Sequence, residues 1–346
     1  MRRDFIKENQ TSEVVYAESL NRLISHNHYF SFLKQAPSVL FISTQAFYEN
    51  YYDRFGFLFN GEGTFNWYIC PDTSNLNNIN TYQRILTYIE EMKLPTGTAL
   101  VAAGSDKIHY LCSILEQSSI YLKGYTYIPT SMSGFLAGLS GKCKLVNEQN
   151  IVTSECFTLP EILIYDTMLS ELEAPDKWTE DFFQLLKLSL YSNNDLFELL
   201  SAISFHEQRP WTPYVEQVID CFEKETLEND LMIGSLKKGF YQLTESHYIT
   251  LQEKEQISFL LYFLWCLKKE TIPFDFPLMV KWLKEVMGSS LSLPKVMNTY
   301  ELAESITMEL GRLDKGVSLS QIGVMKESPL PTMEEMYHVI ESYREI

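Results

Sequence analysis

Cations are scarce in this chain. Of 346 residues only 28 are Lys or Arg, against 45 Asp and Glu, for a net charge of −17. A field of that sign repels a phosphate backbone, so nucleic acid is excluded as the expected partner. Cysteines are few and scattered: Cys70, Cys112, Cys143, Cys156, Cys221 and Cys266 contain no C-x-x-C pair. Small thiols buried in a reducing compartment are the expectation. Long apolar runs are missing as well. The most apolar stretch, Ile257 to Leu267 (ISFLLYFLWCL), has eleven residues, about 16 Å of helix or roughly half a bilayer core. It is expected to be a buried helix, with no membrane contact. No apolar run follows the arginines of MRRDFIKENQ, so no secretory signal is read there and a soluble, cytoplasmic protein is expected. Internal repeats and low-complexity tracts are absent.

What is present suffices for packed interiors: 45% of residues are hydrophobic and 14% aromatic. A chain of this length points to two domains, and its two halves have different periods. Ser38–Ser43, Thr64–Ile69, Ala99–Ala103, Tyr125–Ile128 and Ile162–Tyr165 read as strands, with Thr81–Lys93 as an amphipathic helix among them. Strands alternating with helices imply a mostly parallel, Rossmann-like sheet whose ligands sit at the carboxyl ends of strands. Helical periods follow over Trp178–Tyr191, Trp211–Glu225, Leu227–Thr244, Glu253–Lys269 and Leu278–Met287. The expected organisation is an α/β domain over 1–165 and an all-α domain over 166–346.

From Tyr125 onward the chain reads YTYIPTSMSGFLAGLSGK, then FTLPEILIYDT, then a helical run ending QLLK. This order resembles the middle of the 3-dehydroquinate synthases and related sugar-phosphate cyclases, with R-G-x-x-F-I-x-V-P-T-T, D-S-S-x-G-G-K, F-Y-Q-P-x-x-V-x-x-D and G-x-A-E-V-I-K. Lys142, Pro160, Asp166 and Lys187 align without a gap. The resemblance implies an α/β nucleotide-binding half, a helical metal-binding half, NAD and zinc as cofactors, and a dimer.

The chemistry of that family is largely missing from this chain. Pyrophosphate binding needs glycines so that backbone N–H groups can reach the phosphates. Where the family has G-G-G-x-x-G-D, this chain has Gly104-Ser105-Asp106-Lys107-Ile108-His109-Tyr110. One glycine of four remains, and Asp106 adds a negative charge. Ser74 and Asn77 replace the acidic and basic residues of P-D-G-E-x-x-K. The glutamate and two histidines that hold the family's metal correspond to Gln184, Leu236 and Glu253, with Phe240 at the last histidine of N-x-G-H-x-x-G-H. The histidines His26, His28, His109, His206, His247 and His338 form no H-x₃-H pair. His26 and His28 read as a polar turn, and His206 with Glu207 as a helix end. NAD and zinc are therefore both expected to be lost.

Part of the substrate pocket implied by the resemblance is retained: Lys142, Lys187 and Lys315 match family lysines, and Lys123 stands at an arginine position. Leu136, Ile151 and Val152 replace polar pocket residues. Four clustered ammonium groups need counter-charge, for which Glu253 and Glu255 are the nearest candidates, Glu253 foremost. The reading is a cyclase-like protein without cyclase activity that binds a small anion or associates, as a homodimer or with an active relative. The alternative is an enzyme of altered chemistry in the interdomain cleft, with Cys143 beside Lys142 as its one suggestive nucleophile. Association is expected through the α/β half, where Phe47–Tyr52 and Phe55–Phe59 form aromatic-rich segments.

Overall fold

The strands legible as unbroken apolar runs are covered on both faces. In the computed structural model, which describes residues 1–25, 30, 33–58, 64–71, 76–148, 152–172, 177–204, 211–223 and 230–346, Ser38–Ser43, Thr98–Gly104, Leu122–Pro129 and Ile162–Tyr165 lie inside a seven-stranded sheet and Thr64–Ile69 forms one edge. His26, His28, Phe59, Ser74, Ile151, His206 and Glu207 lie outside the described residues. The chain divides into two compact units, one of residues 1–181 with 210–223, the other of 182–209 with 224–346. The division falls inside a helix, later than the change of period at residue 166.

In the first unit the elements run β1 (Arg2–Lys7), β2 (Gln10–Tyr16), α1 (Leu20–Ser25), β3 (Ser38–Ser43), α2 (Gln45–Leu58), β4 (Thr64–Ile69), α3 (Ile79–Glu91), β5 (Thr98–Gly104), α4 (Asp106–Ser118), β6 (Leu122–Pro129), α5 (Met132–Ser140), β7 (Lys142–Val146), β8 (Val152–Phe157) and β9 (Ile162–Tyr165). The sheet order is β1-β2-β9-β6-β5-β3-β4. The β1/β2 pair is antiparallel and the other described pairings in this sheet are parallel. From β3 the chain passes through α2 to β4 on one side, then returns through α3 to β5 on the other. The carboxyl ends of β3 and β5 thus flank the crevice at which open α/β sheets take up ligands.

The core over one face is aromatic. Phe41 stacks on Trp67 at 4.1 Å between ring centroids and meets Phe55 at 4.8 Å, and Phe47 stacks on Tyr51 at 4.7 Å. The aromatic-rich segment of α2 is therefore mostly interior: Phe47, Tyr51 and Phe55 are buried, while Tyr52 is 42% and Phe57 80% exposed. Helices α4 and α5 cover the other face through Ile108, Leu111, Leu115, Phe135 and Leu139. The β1/β2 hairpin was not legible because its turn lacks glycine: Glu8 and Asn9 both take positive φ, 45° and 63°, a conformation usually signalled by Asn-Gly or Asp-Gly.

The second unit begins within α6 (Lys177–Ser192) and continues with α7 (Asn194–Ser201). After α8 (Val215–Glu223), which belongs to the first unit, come α9 (Asp230–Phe240), α10 (Leu251–Glu270), α11 (Phe276–Met287) and α12 (Thr299–Leu310). A hairpin of β10 (Gly316–Gln321) and β11 (Val324–Ser328) precedes α13 (Met333–Arg344). Arg3 of β1 ties α8 to the sheet through Asp220 at 2.7 Å and Glu223 at 2.5 Å. The ISFLLYFLWCL run lies in α10, where every residue from Gln256 to Leu267 is buried; a helix apolar all round belongs inside a helical core. Among the described residues no helix is long and apolar enough to cross a membrane. The unit is helical as its period indicates, with the β10/β11 hairpin as an addition, bonded by Tyr262 Oη to Val317 O at 3.0 Å.

Phe41→Ala should lower unfolding free energy by about 3–5 kcal/mol, the usual range for emptying a buried aromatic site. Equilibrium denaturation checks this, and a loss below about 1 kcal/mol would contradict the aromatic core.

Candidate functional site

At the carboxyl edge of the sheet, β5 runs into α4 through Gly104 and Ser105. Gly104 has φ 148°, and a Cβ there would lie 2.6 Å from Ile108 Cδ1 and 3.2 Å from Thr44 Cγ2. Glycine is required, but its free space is filled by the chain's own side chains. Its carbonyl accepts from Thr130 N at 3.1 Å and from Tyr127 Oη at 3.0 Å. Ser105 caps α4 without a side-chain bond to it, and Asp106 occupies the first turn. A carboxylate there complements the positive end of the helix, as a phosphate would.

Two other replaced positions, His109 and Asn77, have structural roles. His109 stands at the last glycine of the family's loop and is fully buried between α4 and the sheet. Its ring stacks on Tyr127 at 4.7 Å, and its Nδ1 lies 2.9 Å from Tyr125 Oη. Burial drives its pKa down to about 3, so the imidazole is neutral. Asn77 is buried and donates from Nδ2 to Lys144 O at 2.9 Å, while Val146 N donates to its carbonyl at 3.0 Å. It holds β7 in place.

Helix α5 starts at the end of β6 on the same edge, and its N-terminus is closed by Asp181. Oδ2 accepts from Met132 N at 2.8 Å; Oδ1 accepts from Ser133 N at 2.8 Å and Ser133 Oγ at 2.7 Å. Burial raises the Asp181 pKa and these three bonds oppose the rise. Position 181 opens the G-x-A-E-V-I-K pattern, where the family has glycine. That substitution was the available signal for this cap, and the sequence reading passed over it. Asp166, one of the aligned landmarks, accepts from Leu20 N at 2.8 Å and fixes the start of α1.

In the second unit, Gln184, Leu236 and Glu253 lie on α6, α9 and α10. Leu236 and Phe240 are buried in apolar packing. Gly239 lets α9 cross α12, since a Cβ would lie 2.8 Å from Ile306 Cα. Glu253 completes a capping box: it accepts from Thr250 N at 3.0 Å, and Thr250 Oγ1 accepts from Glu253 N at 3.1 Å. The counter-charge comes from Glu255, which meets Lys187 Nζ at 2.8 Å and Lys237 Nζ at 3.1 Å. The expectation that Glu253 foremost would pair with the lysines is thus corrected. As the third residue of the helix it turns back to the cap, while Glu255 projects toward α6 and α9. Lys237 was missed because only its neighbour Leu236 aligned with a ligand. Gln184, Leu236 and Glu253 do not make a zinc donor set, and no cluster of three or more His, Cys, Asp or Glu suited to a metal occurs among the described residues.

The lysines are dispersed within their units. Lys123 is exposed near the start of β6, about 20 Å by strand rise from Pro129 at the carboxyl edge. Lys142, also exposed, opens β7 and is close enough to Lys7 to help burial lower the Lys7 pKa. Lys187 meets the second turn of α10. Lys315 is exposed and paired with Glu327 of the hairpin, which packs about 10 Å further along that helix. Leu136 lies on α5 and the exposed Val152 on β8. Cys143 is buried.

Burial pushes the Glu255 pKa up, but attraction and hydrogen bonding from Lys187 and Lys237 outweigh it and bring the value down to about 2 from 4.5. A carboxyl lowered by folding contributes stability above pH 4.5 and loses it as the pH falls toward 2. Glu255→Gln should therefore cost on the order of 3 kcal/mol at pH 7, with the difference from wild type shrinking between pH 5 and pH 2 by about that amount. Glu253→Ala should cost only about 1 kcal/mol through its cap. Urea denaturation across pH separates the two, and equal losses would contradict the assignment.

No protein-family model and no curated protein sequence matches the chain. Solved structures do. A 2-deoxy-scyllo-inosose synthase complexed with carbaglucose-6-phosphate, NAD+ and Co2+ superposes with TM-score 0.76 at 12% identity, covering 100% of this chain and 99% of that one. The 2-epi-5-epi-valiolone synthase of Streptomyces hygroscopicus, with NAD+ and Zn2+ bound, gives 0.76 at 13% over 100% and 99%. Maleylacetate reductase from Agrobacterium tumefaciens gives 0.64 at 12% over 99% and 98%. The chain therefore has the dehydroquinate synthase-like fold of the sugar-phosphate cyclases, at far remove in sequence.

Proposed function

We propose that this chain is a sugar-phosphate-cyclase-like protein that no longer catalyses cyclisation and acts by binding. The observation that carries the reading is the use made of the metal positions. Leu236 is core, Glu253 is a helix cap, and the neighbouring Lys187 and Lys237 share the carboxylate of Glu255. The cyclase reaction needs a nicotinamide to store a hydride and a metal to polarise the hydroxyl and carbonyl. Asp106 and Asp181 place carboxylates at two helix starts of the carboxyl edge, which opposes pyrophosphate binding there. The ligand in this reading is a partner chain, either a second copy or an active relative, or a small anion drawn to the retained lysines.

Purified protein should contain far less than one metal ion per chain by elemental analysis and show no micromolar NAD binding by calorimetry. It should also give no dehydroquinate synthase turnover above a buffer blank, with or without added zinc or cobalt. Stoichiometric metal, NAD affinity in that range, or turnover would overturn the reading.

Association is proposed through the first unit, whose α2 leaves Tyr52 and Phe57 exposed beside a buried aromatic core. Light scattering at tens of micromolar should show a mass above that of one chain, and Phe57→Ser should weaken the assembly with less than about 0.5 kcal/mol change in stability. A monomer at that concentration, with no relative captured, would refute it.

A further inference from the structure

We propose that Cys143 and Cys156 form a redox-responsive thiol pair, closing a reversible cross-strand disulfide by exchange with a low-molecular-weight disulfide. The two residues are direct partners in the antiparallel β7/β8 ladder, Cys143↔Cys156. Directly opposed residues project to the same face of a hairpin with Cα atoms about 4.5–5.5 Å apart, inside the window of about 4.4–6.8 Å that a disulfide spans. The two thiols influence each other's titration across the ladder.

The environments of the two sulfurs divide the roles. Cys143 is 2% exposed, with Sγ 3.5 Å from His109 Nε2 and 3.5 Å from Gly141 O. Its hydrogen bond to Cys156, together with burial, holds it protonated. Cys156 is the one cysteine of the six that is not buried. The hydrogen bond from Cys143 brings its pKa down to about 7 against the opposing effect of burial, with help from Thr158. The outer sulfur is the attacking thiolate and the inner one the resolving thiol.

The exchange balances without a further co-reactant. The Cys156 thiolate attacks one sulfur of a disulfide RSSR such as oxidised glutathione. A Cys156–S–SR bond forms, the S–S bond of the oxidant breaks, and RS⁻ leaves. The Cys143 thiol then releases its proton to RS⁻ or water and attacks the Cys156 sulfur, expelling the second RS⁻. Two protein thiols are oxidised to one disulfide, and one RSSR is reduced to two RSH. Oxidation withdraws the Cys143 sulfur from His109, whose ring stacks on Tyr127, the residue bonded to the Gly104 carbonyl. The redox state of the pair is therefore felt at the β5–α4 turn.

The full-length protein is equilibrated with oxidised and reduced glutathione at graded ratios, quenched in acid, and read by intact mass and non-reducing peptide mapping. The expected result is loss of the mass of two hydrogens, a Cys143–Cys156 cross-linked peptide, and full reversal by dithiothreitol. Cys156→Ser should abolish the cross-link. Cys143→Ala should instead accumulate one glutathionyl group on Cys156. Brief alkylation of the native reduced wild type should label Cys156 at least about tenfold faster than the buried cysteines, with a rate that rises with pH at lower pH than for an ordinary thiol. That readout does not depend on either variant folding. A stable glutathione adduct on wild-type Cys156, no oxidation at any ratio, or equal labelling of Cys156 and the buried cysteines would overturn the proposal.

Discussion

A parallel sheet delivers each following helix start to one edge, and each start presents backbone N–H groups that no helical carbonyl can satisfy. In the nucleotide-binding version of such a fold, some of these groups are left for phosphates. In this chain side chains at the helix starts claim the role. Thr44 Oγ1 accepts from Phe47 N at 3.3 Å, Asn78 caps α3, Asp106 sits in the first turn of α4, and Asp181 holds two amides of α5. The positive ends of α4 and α5 thus already have carboxylates beside them. The geometry of the edge is that of a ligand-binding crevice, with carboxylates standing at two of its helix starts.

The same substitution of internal contacts for ligand contacts runs through the second unit. In the metal-binding version of the fold, a cation draws three helices together. Here a half-buried carboxylate bridges them, with Glu255 of α10 between Lys187 of α6 and Lys237 of α9. The positions that would hold a metal have become a side chain of the core, a helix cap and a neutral amide. Lys187 is the buried member, so removing Glu255 would leave an ammonium group largely shielded from solvent. Gly239, kept from the family pattern, serves the crossing of α9 and α12, a packing need independent of any metal.

The buried polar group behind the β5–α4 turn follows from the replacement of a packing glycine by His109. A neutral imidazole between α4 and the sheet needs partners, and Tyr125, Ser113 and Cys143 supply them at 2.9, 3.3 and 3.5 Å. A thiol whose strand partner is also cysteine is thereby placed in a structural cluster, which gives it a significance that isolated buried thiols lack.

The period of the apolar residues was enough to place β3, β4, β5, β6 and β9, the helix α3 and the central helix α10. Both faces of β3 and β5 and all sides of α10 from Gln256 to Leu267 are covered, and continuous burial leaves a continuous apolar record. The dehydroquinate synthase-like order was legible from Lys142, Pro160, Asp166 and Lys187, of which Asp166 sets a helix start and Lys187 an ion pair. The β1/β2 hairpin was hidden because Glu8 and Asn9 adopt a turn that glycine normally announces, and β10/β11 because a short exposed hairpin carries little period. Contacts between residues distant in the chain could not be read from spacing. Tertiary structure alone assigned the counter-charge to Glu255 over Glu253, brought Asp181 to the start of α5, and set Cys156 opposite Cys143. In each case helix phase or strand register decides which of two neighbouring side chains faces its partner, and a sequence pattern does not carry that phase across elements.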